Sequence, residues 1–148
     1  MALNNTLWPS TGTAPEVIKA WLSTFYRLAD TKDNAVIEQI VDLFAEDAVA
    51  KTAAGKAQGK AAIRDSRKTA WDLIETRKHE VLKVYIAKED FSDILLIGKL
   101  SAGLKNGKEV VSEFVAHLEF TNTKSSPKAT LYEVWTDTAV WKTAFASS

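Results

Sequence analysis

Near Arg77 the hydrophobic period of this chain changes, and that switch sets its class. Upstream, apolar residues recur in steps of three and four, as one buried face of a helix requires. Downstream, segments rich in Val, Ile, Leu, Phe and Tyr follow one another with turn residues between them, as strands do. Val17, Ile18, Trp21, Leu22, Phe25 and Leu28 form the first stripe. It follows Thr13-Ala14-Pro15-Glu16, which has the spacing of a capping box with a proline in the first turn. Asp30-Thr31-Lys32-Asp33 breaks that helix. Val36, Ile37, Ile40, Val41 and Phe44 predict a shorter one that closes before Glu46-Asp47, with a short strand at 48–51. Gly55 and Gly59 bracket a loop, and Ala62, Ile63, Ser66, Ala70, Leu73 and Ile74 predict a third helix to about Glu75.

Strands are predicted at 77–87, 92–104, 109–121 and from 129 to about 137. Lys105-Asn106-Gly107-Lys108 joins two of them as a hairpin in which both central residues tolerate positive φ. Helices followed by an antiparallel meander make an α+β chain, with three N-terminal helices covering one face of a single sheet. The organisation expected is a loose N-terminal arm at 1–14, one domain at 15–137 and a C-terminal tail at 138–148, where Trp141 and Phe145 should dock. At 148 residues the chain suits one domain.

Composition removes several function classes. Nineteen basic residues balance nineteen acidic ones, which leaves no electrostatic footprint for nucleic acid or an anionic membrane. Without cysteine there is no disulfide frame, thiolate nucleophile or thiolate zinc site, and a reducing cytoplasm is the expected location. The longest aliphatic run, 94–97, is far too short to span a bilayer, which takes about 20 apolar residues. Gly55-Lys56-Ala57-Gln58-Gly59-Lys60-Ala61 imitates a phosphate loop, but its glycines are one residue too close and Ala61 replaces the Ser or Thr that holds magnesium. No dinucleotide fingerprint and no nucleophile elbow is present. His79 and His117 stand 38 positions apart without carboxylates at metal spacing, so no metal site is expected.

What remains is acid-base chemistry in an apolar cavity. Five tryptophans are many for this length, and large flat residues line pockets as readily as they pack cores. Asp30 falls where the first helix ends, with Tyr26 one turn before it on the same face. A carboxylate against an apolar wall is a useful base or acid; the plainer role is to bond backbone amides in the break between helices. His79 opens the first long strand, where a ring can face a cavity mouth and shuttle a proton. Alternation opposes this, because Leu82, Val84 and Ile86 share one face while His79 falls with Val81, Lys83 and Tyr85. Only a bulge, or a sheet covered on both sides, would let His79 face the helices. In 109–121, Phe114, Ala116, Leu118 and Phe120 form the apolar face, and His117 points outward with Val111 and Val115. With Trp135 these make the outer face a candidate homodimer surface. Arg67 and Trp71, four apart on the third helix, would present a guanidinium and an indole together.

Phe44-Ala45-Glu46-Asp47-Ala48, then Gly59-Lys60-Ala61-Ala62-Ile63-Arg64, ahead of an antiparallel meander, resembles the nuclear transport factor two-like superfamily and, within it, the SnoaL-like proteins. The resemblance covers 15 to about 135. It implies a cone-shaped α+β barrel, three helices closing over a curved sheet around an apolar cavity, often as a homodimer. It also implies cofactor-free acid-base chemistry on hydrophobic small molecules, as in ketosteroid isomerases, polyketide cyclases and fungal meroterpenoid isomerases. Asp30-Thr31-Lys32-Asp33 and His79 are similar to the catalytic Asp stretch and strand-opening His of scytalone dehydratases, whereas the register of His117 does not match that family's second histidine.

The function expected is a cofactor-independent isomerase, cyclase or dehydratase of a polyketide- or terpenoid-like molecule. Asp30 would be the general base or orient His79, and His79 would carry the proton. Tyr26, Arg67, Trp71, Phe114 and Tyr132 would bind substrate. An epoxide hydrolase would need an Asp-Arg-Asp set, of which only Asp30 and Arg67 are in hand. A non-catalytic ligand-binding or dimerisation module is the rival from another class.

Overall fold

The first stripe forms helix α1 (Glu16–Ala29), which buries Ile18, Trp21, Leu22, Phe25, Tyr26, Leu28 and Ala29. The computed structural model describes residues 1–146, so Ser147 and Ser148 of the expected tail lie outside them. Thr13 does not cap α1. Pro15 occupies the N-cap position, and its carbonyl accepts the amides of Ile18 and Lys19 directly. The second stripe condenses to a 3-10 turn (Asn34–Val36), capped by the Asp33 side chain on Ala35 N–H, and a one-turn helix α2 (Ile37–Val41). Phe44, predicted to close that helix, instead opens strand β1 (Phe44–Thr52).

Gly55–Gln58, predicted as loop, pairs antiparallel with β1 as β2. Gly59, at φ 85°, then turns the chain into α3 (Lys60–Arg67). That helix stops well short of Glu75, and Ile74 already belongs to strand β3 (Ile74–Ile86). Trp71 is therefore on a turn and not one helical step above Arg67. Strands β4 (Asp93–Leu104), β5 (Glu109–Thr121) and β6 (Lys128–Thr136) follow the predicted meander. In the β4–β5 hairpin only Gly107 has positive φ, while the Asn106 side chain bonds Lys108 N–H. The turn is thus an Asx turn with a left-handed glycine.

The six strands run β2-β1-β6-β5-β4-β3. The α+β class stands, with one departure: β1 and β6 pair in parallel, so the sheet is mixed. This follows from β1 lying outside the meander, among the helices, and joining the sheet at the free edge of β6. The helices lie over the inner face, where Phe114, Ala116, Leu118 and Phe120 of β5 are buried with α1.

Strand β3 carries the feature that matters for the site. Its pairing with β4 slips between Val81, opposite Gly98, and Lys83, opposite Ile97. The extra residue, Leu82, is a bulge that moves the inner face from odd to even positions. His79 and Val81 face inward before it, and Val84 and Ile86 after it; Val81 and Val84 are both buried. The alternation that set His79 apart from Val84 is broken between them.

The N-terminal arm is not loose. Leu7 pairs in parallel with Lys83, Leu7 N–H and Val84 N–H bond across that bridge, and Val81 N–H donates to the Ala2 carbonyl beside the bulge. The tail forms α4 (Thr138–Ala146): Trp141 packs on Ala102, Leu104 and Val110 and its Nε1 donates to Ser112 Oγ, whereas Phe145, also expected to dock, stays exposed. Among the described residues no helix is long and apolar enough to cross a membrane.

Candidate active site

Two chain breaks meet at the centre of the site. Asp30 is the C-cap of α1, held there by its own N–H to the Tyr26 carbonyl, while the Thr31 hydroxyl donates to Arg27 O. His79 enters from β3, one residue pair before the bulge. The Asp30 carboxylate takes hold of it twice. One oxygen stands 2.5 Å from His79 Nδ1, and the other accepts the His79 backbone N–H at 2.8 Å. The amide that Asp30 accepts is thus His79's on β3 and not one in the break between helices, and the same carboxylate partners the ring.

The imidazole is clamped between rings. Tyr26 lies 4.9 Å away at a 34° tilt, and Phe114 meets it edge-on at 5.7 Å. Phe114 in turn covers Gly98, where a Cβ would come within 2.2 Å of the ring, so the missing side chain is what admits it. Phe25 bridges Tyr26 and Tyr132 at 5.1 and 5.0 Å. Burial lowers the His79 pKa from 6.5, and the Asp30 hydrogen bond and charge only partly offset this. The ring is therefore neutral near pH 7, and a carboxylate at Nδ1 selects the Nδ1–H tautomer. Nε2, the basic nitrogen in that tautomer, has no protein partner among the described residues and is not sealed from solvent. The side chains of His79 and Asp30 retain 13% and 20% exposure, so the pair is reachable.

Two arginines join the site, one of them unforeseen. Arg77 donates to the Ala29 carbonyl at 3.3 Å and the Ala70 carbonyl at 2.5 Å, and lies over the Trp71 ring at 4.4 Å. Trp71 thus supports a guanidinium, but Arg77's and not Arg67's. Burial, and then repulsion from Arg67, bring Arg77 down to about 10. Arg67, at the end of α3, is lowered by burial while Tyr132 and Asp30 act the other way. Its Nε is sealed without a partner, as is the Tyr26 hydroxyl. Burial raises both phenols, Tyr26 strongly; they influence each other without a hydrogen bond of good geometry. Arg77 lies two residues before His79 on the same face of β3, which is the signal that could have found it.

Asp30 is the carboxylate whose charge is felt by Tyr26, Arg67, Arg77, His79 and Tyr132. His117 lies on the outer face, as the alternation says, but it is not short of carboxylates. Its Nε2 bonds Asp93 at 2.8 Å, and Glu119 and Glu133 stand 3.9 and 3.8 Å from the ring nitrogens. Asp93, His117 and Glu119 are the side chains positioned to share a cation, and the His117–Asp93 bond already satisfies two of them.

Around the dyad, aromatic side chains pack the space between α1 and the sheet. Surface depressions of about 440 and 370 Å³ lie elsewhere, one beside Pro15 and Thr123, the other on the outer face beside Tyr85, His117 and Trp135.

The SnoaL-like domain family matches residues 15–126. No curated protein matches the sequence. Among solved structures, a ketosteroid isomerase-like protein from Catenulispora acidiphila in complex with trimethylamine is similar at 16% identity and TM-score 0.68, over 89% of this chain and 94% of that one. TerC co-crystallised with polyporic acid is similar at 17% identity and TM-score 0.68, over 89% and 97%. A hexachlorocyclohexane dehydrochlorinase, LinA type 2, is similar at 12% identity and TM-score 0.68, over 82% and 84%. At these identities the likeness is one of fold.

Proposed function

The chain belongs to the SnoaL-like family, and from the dyad this member carries we propose that it is a cofactor-independent acid-base enzyme, an isomerase, cyclase or dehydratase of a hydrophobic small molecule. The observation that carries the reading is the two-point grip of Asp30 on His79. A neutral imidazole whose Nδ1–H is fixed on a carboxylate presents Nε2 as a base, and the carboxylate stabilises the imidazolium formed on proton transfer. Asp30 is then the positioning residue and His79 the group that touches substrate. Returning the proton to a second carbon isomerises; delivering it to a leaving hydroxyl dehydrates; attack of the carbanion on an internal electrophile closes a ring.

The walls favour an apolar, ring-bearing substrate, with Phe114 and Tyr132 as contacts and Tyr26 and Arg67 as polar anchors. A polyketide- or terpenoid-like molecule of natural-product biosynthesis has that character. Cytoplasmic location belongs to the same proposal, on the cysteine-free composition. So does homodimerisation through the outer face, where Val111, Trp135, Tyr85 and Leu95 are exposed together. The filled interior favours a second reading, a module that binds ligand or a second copy without turning anything over.

All three reaction types begin with removal of an acidic C–H proton, so the test needs no natural substrate. Deuterium wash-in from solvent at the α-carbon of 1-tetralone, followed by proton NMR, should be accelerated by the protein and not by His79→Gln. Equal rates with both would favour the non-catalytic module.

A further inference from the structure

The start of α1 is left without a side-chain cap. Thr13-Ala14-Pro15-Glu16 has the spacing of a capping box, yet Pro15 takes the N-cap position and offers no side-chain acceptor. Its carbonyl accepts the Ile18 and Lys19 amides, whereas the N–H groups of Glu16 and Val17 have no acceptor among the described residues. The Glu16 side chain, which a capping box would turn back, leans instead toward Lys19 at 3.7 Å. Two unmet donors thus stand at the positive end of a 14-residue helix.

An independent feature meets them. Among the described residues Thr123 is the polar one that falls with the buried core, at 8% exposed. It follows Asn122, whose left-handed φ of 56° turns the chain out of β5. The Thr123 hydroxyl has no hydrogen-bond partner among the described residues, and it is not one of the sealed orphan groups, so it keeps an opening to solvent. That opening is the depression of about 440 Å³ that Thr123 shares with Pro15, Glu16, Val17, Asp90 and Lys124. Buried hydroxyls nearly always have partners, and one that opens onto a cavity beside unmet helix N–H groups marks where a ligand atom belongs.

The charges select the ligand. Backbone N–H groups only donate, so the ligand atom is an acceptor. Lys124, with no ion pair among the described residues, favours a negative one. Asp90 gives one oxygen to the Ser92 amide, and that bond lowers its pKa, so it stays ionised near neutral pH. With Glu16 it opposes a dianion, while Pro15 and Val17 give the depression an apolar side. A single carboxylate on a small apolar body fits these conditions, and a phosphate does not.

We propose that this depression is a second binding site, for a small monocarboxylate that takes the place of the missing cap. Its oxygens accept from the Glu16 and Val17 N–H groups and the Thr123 hydroxyl, with the Lys124 ammonium beside them. The site lies at the opposite end of α1 from Asp30, about 20 Å along the helix axis, and does not rest on the acid-base reading.

Isobutyrate, its uncharged isostere isobutyramide and inorganic phosphate are titrated into the ¹⁵N-labelled full chain near neutral pH at constant ionic strength. Isobutyrate should move the Glu16 and Val17 amide resonances along one saturating curve. Charge-assisted hydrogen bonds at a helix start predict that it binds about 10-fold more tightly than the amide, and phosphate should bind more weakly than isobutyrate. Thr123→Val, which keeps the shape and removes the hydroxyl, should weaken isobutyrate about 3- to 10-fold, and Thr123→Ser should retain it. Lys124→Met should weaken it about 2- to 5-fold and, being on the exposed rim, tests the site even where Thr123→Val does not fold. His79→Gln should leave the affinity as it is. Equal binding of isobutyrate and isobutyramide, tighter binding of phosphate, or wild-type affinity in folded Thr123→Val overturns the proposal. So does dependence on His79, which would put the carboxylate at the dyad, or the absence of a saturable shift at tens of millimolar.

Discussion

Asp30 holds His79 by ring and by backbone at once, at 2.5 Å to Nδ1 and 2.8 Å from the amide nitrogen. One carboxylate thereby ties the end of α1 to the interior of β3 and sets which ring nitrogen carries the proton. Asp30→Asn removes the charge and lets the amide favour the other tautomer. Solvent-deuterium wash-in should fall by about 10²- to 10⁴-fold, the range that a positioned general base supplies. A rate within twofold of wild type would mean that Asp30 does not orient the base.

The same pair sets a pH dependence of stability. The folded His79 pKa lies below 6.5, so between the two values the unfolded chain holds a proton that the folded chain refuses. Its contribution is complete above the unfolded value and is lost as pH drops toward the folded one. Thermal melts should show wild type losing stability on acidification below about 6.5, and His79→Gln losing less over that window. Parallel slopes for the two proteins would contradict the lowered value.

Gly98 makes room for Phe114, since a Cβ there would sit 2.2 Å from the ring. Gly98→Ala must push Phe114 toward Tyr26 and His79, which overpacking puts at about 1–3 kcal/mol, or several degrees of Tm. Adding Phe114→Leu should recover part of that loss. Strict additivity of the two changes would show that the ring does not depend on the glycine.

On the outer face the exposed Trp135 (51%) pairs in register with the half-buried Val115, and Val111 and Leu95 are exposed beside them. If two copies meet there, Trp135→Glu should shift sedimentation from dimer to monomer without altering the far-ultraviolet spectrum. A monomeric wild type would remove this surface from the proposal.

The order of elements was readable because each long segment has one period: α1 and the meander strands carry unmixed signals, and Asp30 stands at the end of α1. The misreadings share a cause, which is that tertiary contacts outweighed local pattern. Apolar spacing runs on through Leu73 and Ile74, yet α3 stops at Arg67, because Arg77 draws in the Ala70 carbonyl and Ile74 pairs with Leu104. The inward turn of His79 depends on the bulge at Leu82, set against the N-terminal arm through Ala2 and Leu7, and no local residue type announces it. The parallel pairing of β1 with β6 joins segments some eighty residues apart, beyond the reach of any window. Arg77 entered the site because burial on a strand face overrode the surface habit of its type.

The central claim is that His79 is a neutral base with Nε2 free, held in that state by Asp30. ¹⁵N NMR of the His79 ring near pH 7 tests it most directly. The account predicts a protonated Nδ1, a bare Nε2 and a titration below 6.5, moving lower still in Asp30→Asn as the stabilising charge is lost. An imidazolium near pH 7, or a proton resting on Nε2, would contradict it.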